Sequence, residues 1–215
     1  MTCIVRIGGC QRVYAAADTI TALRAKPVHA ADARSAARLT SQRIPEHLAA
    51  RVLLRRLLSE AVGGDAASSP LATRPGGQPF LAERPDVGVS LSHSDGWVAA
   101  AVHLCGVVGV DVQAPVRPSD RLIRRCCTPS ARRALSVMTE PERDTEFAWI
   151  WSVQEACVKA EGLGVAGLPW TIAVQAGQRV GRLRDLRWRA LRQTWPVPVS
   201  CAHGPAKGDE PPCGD

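Results

Sequence analysis

The stretch WSVQEACVKAEGLG, from Trp151 to Gly164, constrains this chain more than any other. It reads as a helix closed by a double-glycine stop. Trp151, Glu155 and Lys159 are spaced four apart, so they stack on one face. Ile150, Val153, Ala156, Cys157 and Ala160 offer the opposite side to a core. An acid and a base one turn apart, beside a large aromatic, are suited to catalysis. An exposed Glu–Lys pair has the same spacing and is worth only about 0.3–0.5 kcal/mol. On the helix alone the surface pair is the simpler reading, so the decision rests on the rest of the chain.

At 215 residues the chain has room for one large domain or two smaller ones. The core draws on Ala, Val and Leu, with few aromatics beyond six Trp. The net charge of +7 favours an anionic partner: nucleic acid, a nucleotide-like cofactor, an acidic protein or a membrane surface. Arg far outnumbers Lys, and Arg suits bidentate recognition of phosphate or carboxylate. A GC-rich coding bias would give the same excess. The eight cysteines contain no C-x-x-C pair and match no zinc spacing, so they read as reduced, structural thiols of a cytoplasmic protein. No apolar run reaches the ~18 residues of a membrane span, and MTCIVRIGGC lacks the apolar core of a signal peptide.

In chain order, residues 2–7 form a short β-like run, and a helical stretch follows around Asp32–Leu39. Pro45 and Glu46 suit a first helical turn, and Leu48, Val52, Leu53, Leu57 and Leu58 then make one apolar stripe, stopped by Gly63-Gly64. Asp65–Pro70 reads as loop, and Pro75, Gly76, Gly77 and Pro79 as a constrained turn. Val87, Val89 and Leu91 alternate as a strand; Ser92–Gly96 turns the chain; Trp97–Val102 returns; VVGVDVQ is a third strand, closed by Pro115. Helices are expected at Ser119–Cys127 and Pro129–Met138, the latter capped by Thr128 or Ser130. Strand-like pieces follow at Trp170–Val174, Arg187–Thr194 and 196–202. Residues from His203 onward read as a disordered tail.

In VGVDVQ, Asp111 and Gln113 share one strand face, with Val110 and Val112 on the other. With Glu155 they supply hard oxygens for Mg²⁺, an ion that takes one or two carboxylates plus waters and substrate phosphates. The alternative makes Asp111 a turn-former and Gln113 a solvated side chain. The turn at Ser92-His93-Ser94 presents an imidazole and two hydroxyls to a phosphate, or is simply a hairpin loop. A Ser-His-Asp triad does not fit, because neighbours in a strand point apart and there is no G-x-S-x-G elbow. Arg34, Arg38, Arg43 and Arg51, before or early in the first strong helix, either clamp an anion or form a solvated face. There is no P-loop, and Gly8-Gly9 is too short for a dinucleotide fingerprint.

Three of these stretches, in order and with matching separations, are similar to the motifs of one family. RPGGQPFL followed by VSLSHS resembles the first, GVDVQ at Gly109–Gln113 the second, and WSVQEACVK at Trp151–Lys159 the third. The chain thus resembles the 4′-phosphopantetheinyl transferases of the larger, surfactin-synthetase-activating (Sfp-like) type, well over residues 34–175 and in general layout at the ends. Three positions depart from the pattern. Gln78 stands for a Lys that contacts cofactor phosphate, Gln113 for a frequent acidic metal ligand, and Gln154 for the Lys before the catalytic Glu.

The resemblance implies an α+β fold of two pseudo-twofold-related halves, each with helices on a small antiparallel sheet, and a coenzyme A cleft between them. The halves would span residues 1–105 and 106–202, with 203–215 as the tail. It implies transfer of the 4′-phosphopantetheine arm of coenzyme A to a serine hydroxyl of an apo acyl or peptidyl carrier protein, releasing adenosine 3′,5′-bisphosphate. Mg²⁺ would sit on Asp111, Glu155 and Gln113. Glu155 would be the general base, and Lys159 would contact the pyrophosphate and assist the leaving phosphate. His93, Arg51 and Arg38 would hold the 3′-phosphate, with Ser92 and Arg74 as further cofactor contacts. Trp151 and Trp97 are expected to pack. The implied protein is a cytoplasmic monomer with no nucleic-acid or membrane partner. Two rival readings stand beside this one: a weakened relative that binds coenzyme A or carrier without transfer, and a basic nucleic-acid-binding domain. The second lacks aromatics interleaved with its Arg clusters in 34–56.

Overall fold

Apolar residues on both faces of VYAAADT, WVAAAVH and GVVGVDV let each strand pack against a different partner on each side. The computed structural model describes residues 3–7, 12–24, 26 and 28–206. Strands β1 (Cys3–Arg6) and β2 (Val13–Thr19) are followed by helices α1 (Ile20–Leu23), α2 (Ala30–Ala36), α3 (Ile44–Ala61) and α4 (Gly64–Ser68). A small hairpin, β3 (Leu71–Thr73) and β4 (Pro79–Leu81), leads to β5 (Gly88–Ser94), β6 (Trp97–His103) and β7 (Gly106–Val112). Helices α5 (Asp120–Cys126), α6 (Pro129–Ser136) and α7 (Glu140–Glu161) precede β8 (Val180–Leu183), β9 (Leu186–Ala190) and β10 (Val199–Pro205).

The fold is α+β, with two antiparallel four-stranded sheets ordered β1-β2-β6-β5 and β7-β10-β9-β8. Ala16, Val98, Ala100 and Val102 face Leu53, Leu54, Leu57 and Leu58 of α3. Their strand neighbours Ala15, Ala17, Ala99 and Ala101 share a cluster with Val108, Val110, Val112, Val199 and Cys201, so the two sheets pack on one another through it. On the far side, Trp188, Ala190 and Ala202 pack with Ile150, Val153, Ala156 and Cys157 of α7. The layers therefore run helix, sheet, sheet, helix. The alanines have a structural reason: small residues on the inner face let the sheets approach closely.

The helix that carries Glu155 and Lys159 is longer than its motif. α7 begins at Glu140 behind a capping box, in which Glu142 accepts the Thr139 N–H at 3.0 Å, and it ends at Gly162 with φ 69°. Ile150, Val153, Ala156, Cys157 and Ala160 are buried, while Trp151, Glu155 and Lys159 stay half-buried on the other side. Trp151 and Trp97 both pack against core clusters.

Several expectations are corrected. Asp65–Pro70 is not all loop: α4 forms there, pinned by Arg55, whose Nη1 donates to the Ala67 and Ser69 carbonyls. Ser92–Ser94 belong to β5, and the turn is only Asp95-Gly96, both at positive φ (42° and 81°), the primed geometry of a tight hairpin. Trp170–Val174 is not a strand. Pro169–Thr171 forms a 3₁₀ turn, and the Ile172 carbonyl accepts from Gln154 Nε2 at 2.8 Å instead of joining a ladder. β10 continues through His203–Pro205, paired with β7, so the tail expected from His203 starts later; its remainder, 207–215, lies outside the described residues, as do Gly8, Gly9, Cys10 and Cys213. β2, β8 and the β3–β4 hairpin were not expected from the sequence. The described cysteines are all free thiols. Among the described residues no helix is long and apolar enough to cross a membrane.

Candidate active site at the seam between the sheets

β5 and β7 are edge strands of different sheets, and both leave backbone groups without a ladder partner on the side where they meet. Serines two apart on one face of β5 fill that seam. Ser90 Oγ accepts from Val110 N and Ser94 Oγ from Ala114 N, each at 3.0 Å. Between them Ser92 Oγ donates to Asp111 Oδ1 at 2.7 Å. His93, on the opposite face of β5, reaches away to Glu46 Oε2 in the first turn of α3, at 3.2 Å.

Asp111 lies on the α7 side of β7. Gly109, two residues before it, lets β7 lie against the helix: a Cβ there would meet the Ala156 carbonyl. Glu155, next to Ala156, and Lys159, about one turn beyond it, are thereby brought near the strand end. Lys159 Nζ is 2.7 Å from Asp111 Oδ1, 2.9 Å from Ser92 Oγ and 3.2 Å from the Val110 carbonyl. Burial and the Asp111 charge raise the pKa of Glu155, and Lys159 opposes the shift. Asp111 is 5% exposed, and its second oxygen, Oδ2, is buried with no hydrogen-bond partner.

These observations bear on a metal. Lys159 pairs with Asp111 and bears on Glu155 only through its charge, so the two carboxylates are under-balanced, and the orphaned Oδ2 is a hard acceptor with nothing to accept from. The donor chemistry fits a hard divalent cation. Gln113 lies one residue past the end of β7; its Nε2 donates to the Ala114 carbonyl at 3.3 Å. Among the described residues no three His, Cys, Asp or Glu side chains gather as a metal-binding group, so the charged donors here are the pair Asp111 and Glu155.

Next to this centre runs a cleft. A cavity of about 190 Å³ is lined by Gly76–Pro79, Val89–Leu91, Lys159, Gly162 and Gly164. A second, about 220 Å³, lies between Arg74–Phe80 and Val107. Arg74 is exposed and sits over the Phe80 ring at 4.9 Å. Gln78 packs its amide against Gly162, where a Cβ would collide with it. The glycine turn after Arg74 and the glycine stop of α7 therefore abut, and their lack of side chains opens this part of the cleft.

A basic cluster lies at the start of α3. Arg51 Nη1 bonds to His47 Nδ1 at 3.0 Å, and His47 Nε2 to Ser35 Oγ at 2.7 Å. Arg51 Nε is buried without a hydrogen-bond partner, 3.7 Å from Asp32 Oδ1. Asp32 is mainly engaged by Arg55, which grips both its oxygens. Burial and the Arg51 charge push the His47 pKa down to about 4, with Arg43 and His93 adding to the effect and Asp32 opposing it. Burial also lowers the pKa of Arg51.

The structure thus brings Ser92, Asp111, Glu155 and Lys159 together, and sets Arg51, Arg43 and His93 around His47. Arg34 and Arg38 are exposed on and just after α2, and Arg38 is not among the charges that bear on His47. Arg74 stands apart at the cleft rim. Sequence reasoning missed His47, Ser35, Ser90 and the spacing role of Gly109. Two signals were available: His47 is one helical turn before Arg51, and serines recur every second residue from 90 to 94.

The family model of the 4′-phosphopantetheinyl transferase superfamily matches residues 107–195. The chain is 26% identical to the 4′-phosphopantetheinyl transferase Sfp of Bacillus subtilis, over 54% of this chain and 51% of that protein. It is 29% identical to the 4′-phosphopantetheinyl transferase psf-1 of Bacillus pumilus, over 69% and 64%, and 32% identical to a phosphopantetheinyl transferase of Thraustochytrium, over 55% and 46%. The chain spans about half the length of the curated relatives it matches.

Proposed function

We propose that the chain, whose residues 107–195 match the family model of the 4′-phosphopantetheinyl transferase superfamily, moves the 4′-phosphopantetheine arm of coenzyme A to a serine hydroxyl of an apo carrier protein. The observation that carries the reading is the convergence of Asp111, Glu155 and Lys159, with the orphaned Asp111 Oδ2, beside the glycine-lined cleft. Phosphoryl transfer asks a protein mainly for positioning and charge, and this seam supplies both.

Glu155 is the base. Its raised pKa suits it to take the proton of the carrier serine as the hydroxyl oxygen bonds to the phosphorus of the phosphopantetheine phosphate. The bond from that phosphorus to the leaving oxygen breaks, and adenosine 3′,5′-bisphosphate departs. Lys159 holds the pyrophosphate and steadies or protonates the leaving phosphate. Arg51 and His93, with His47, receive the 3′-phosphate; Ser92 and Arg74 are further contacts along the cleft. Asp111 and Glu155, with Gln113 or water, would hold Mg²⁺. When bound, the ion would neutralise the charge that builds on the pyrophosphate.

In this reading the halves meet at Cys105-Gly106, and coenzyme A lies across that boundary. The net charge of +7 suits both acidic partners, coenzyme A and the carrier. A cytoplasmic monomer acting on acyl or peptidyl carriers is part of the proposal; the free thiols among the described residues suit a reducing compartment. The test is to incubate the full chain with coenzyme A, Mg²⁺ and a panel of apo acyl and peptidyl carriers, then weigh each carrier. A phosphopantetheine mass gain on at least one is expected; none on any would overturn the reading.

A further inference from the structure

All three protons of the Lys159 ammonium are in use. One goes to Asp111 Oδ1 at 2.7 Å, one to Ser92 Oγ at 2.9 Å and one to the Val110 carbonyl at 3.2 Å. Ser92 closes the triangle by donating to the same Asp111 oxygen. The lysine is therefore bound to the carboxylate assigned to the metal, and it has no free N–H for a phosphate while it stays there.

We infer that Lys159 and a divalent cation compete for Asp111, and that an incoming pyrophosphate relieves the competition by drawing the ammonium off the carboxylate. The inference rests on the assignment of Asp111 as a metal ligand. Asp111 is buried, so two cations on it repel with little screening by solvent. Asp111 Oδ2 gives the metal its foothold, and Lys159 on Oδ1 opposes it. A pyrophosphate offers Lys159 a new anionic partner and leaves Asp111 to the metal. Each ligand then eases the other's binding by the same factor, as linkage requires. Ser92 belongs to the switch as well, because its hydroxyl bonds both partners of the ion pair and steadies whichever remains.

The test needs no turnover. Binding of Mn²⁺ alone to the full chain is measured by electron paramagnetic resonance, for wild type, Lys159→Met, Lys159→Gln, Lys159→Arg and Asp111→Asn. Circular dichroism first establishes that each variant is folded, and the two neutral replacements differ in polarity so that one can stand in for the other. Both neutral variants should bind Mn²⁺ about tenfold more tightly than wild type, within the usual range of coupling between sites. Lys159→Arg, which keeps the charge, should bind no more tightly than wild type, and Asp111→Asn should lose the site. If the neutral variants bind as wild type or more weakly while Asp111→Asn still loses the ion, the competition is overturned and the metal assignment stands. If Asp111→Asn binds as wild type, the metal assignment itself falls, and the competition with it.

Discussion

Gly109 of β7 lies directly against Ala156 of α7, with no space between them for a side chain: a Cβ on Gly109 would run into the Ala156 carbonyl oxygen and crowd the Ala160 nitrogen. Asp111 follows Gly109 by two residues, and Lys159 follows Ala156 by three. The contact therefore sets the separation of the groups that define the seam. In Gly109→Ala the helix has to lift off the strand. The variant should lose about 1–3 kcal/mol of stability by overpacking. Transfer activity should fall further than the lost folded fraction explains, because Lys159 moves with the helix. Urea unfolding and a rate on the folded protein check this; a variant equal to wild type in both would show that the spacing does not matter.

His103 and His203 face each other across the junction, ring centroids 6.0 Å apart. Burial, His203 and the Arg12 charge push the His103 pKa down to about 4. An unfolded histidine takes a proton near 6.5. The unfolded chain therefore binds protons that the folded chain refuses between those values. Stability is complete above the unfolded pKa and falls as the pH drops towards the folded one, by up to about 1.4 kcal/mol per pH unit from this group. His203 and His47, also lowered, add in the same direction, His47 less because it is only partly buried. Urea unfolding from neutral pH down to about pH 5 should show the loss, and His103→Gln should reduce the slope. An unchanged slope in the variant would remove His103 as its source.

Arg51 carries a buried Nε with no hydrogen-bond partner and faces His47. If it receives the 3′-phosphate, Arg51→Ala removes binding that is equal in the ground and transition states. KM for coenzyme A should rise roughly tenfold or more, the worth of a charged hydrogen bond, with kcat little changed. With 3′-dephospho-coenzyme A the variant and wild type should behave alike. An equal loss with both co-substrates would place Arg51 elsewhere.

The meeting of Asp111 with Lys159 beside Glu155 was legible from the helix spacing of Glu155 and Lys159 and from the strand period at Asp111, while Gln113 proves to lie just past the end of β7. Ser92 was singled out in the sequence, but not its partners: the sequence cannot say that β5 and β7 are the adjoining edges of two sheets, so Ser92–Ser94 read as part of a turn. Gly109 was hidden for a similar reason, since its role depends on which helix packs over it. Trp170–Val174 misled by composition. Its aromatic and β-branched residues suit a strand, but Gln154 takes the Ile172 carbonyl and Arg125 stacks 3.7 Å over Trp170, so tertiary partners decide its shape. β2 escaped notice because VYAAADT has the alanines of a helix; its strand form comes from pairing between β1 and β6.

The most direct measurement is the rate at which an apo carrier protein gains phosphopantetheine mass from coenzyme A and Mg²⁺, with wild type and with Glu155→Gln shown to be folded. Wild type should convert the carrier, and Glu155→Gln should be slower by about 100- to 10,000-fold, the usual worth of a positioned general base. A Glu155→Gln variant that transfers at the wild-type rate would contradict the account of the seam as the catalytic centre.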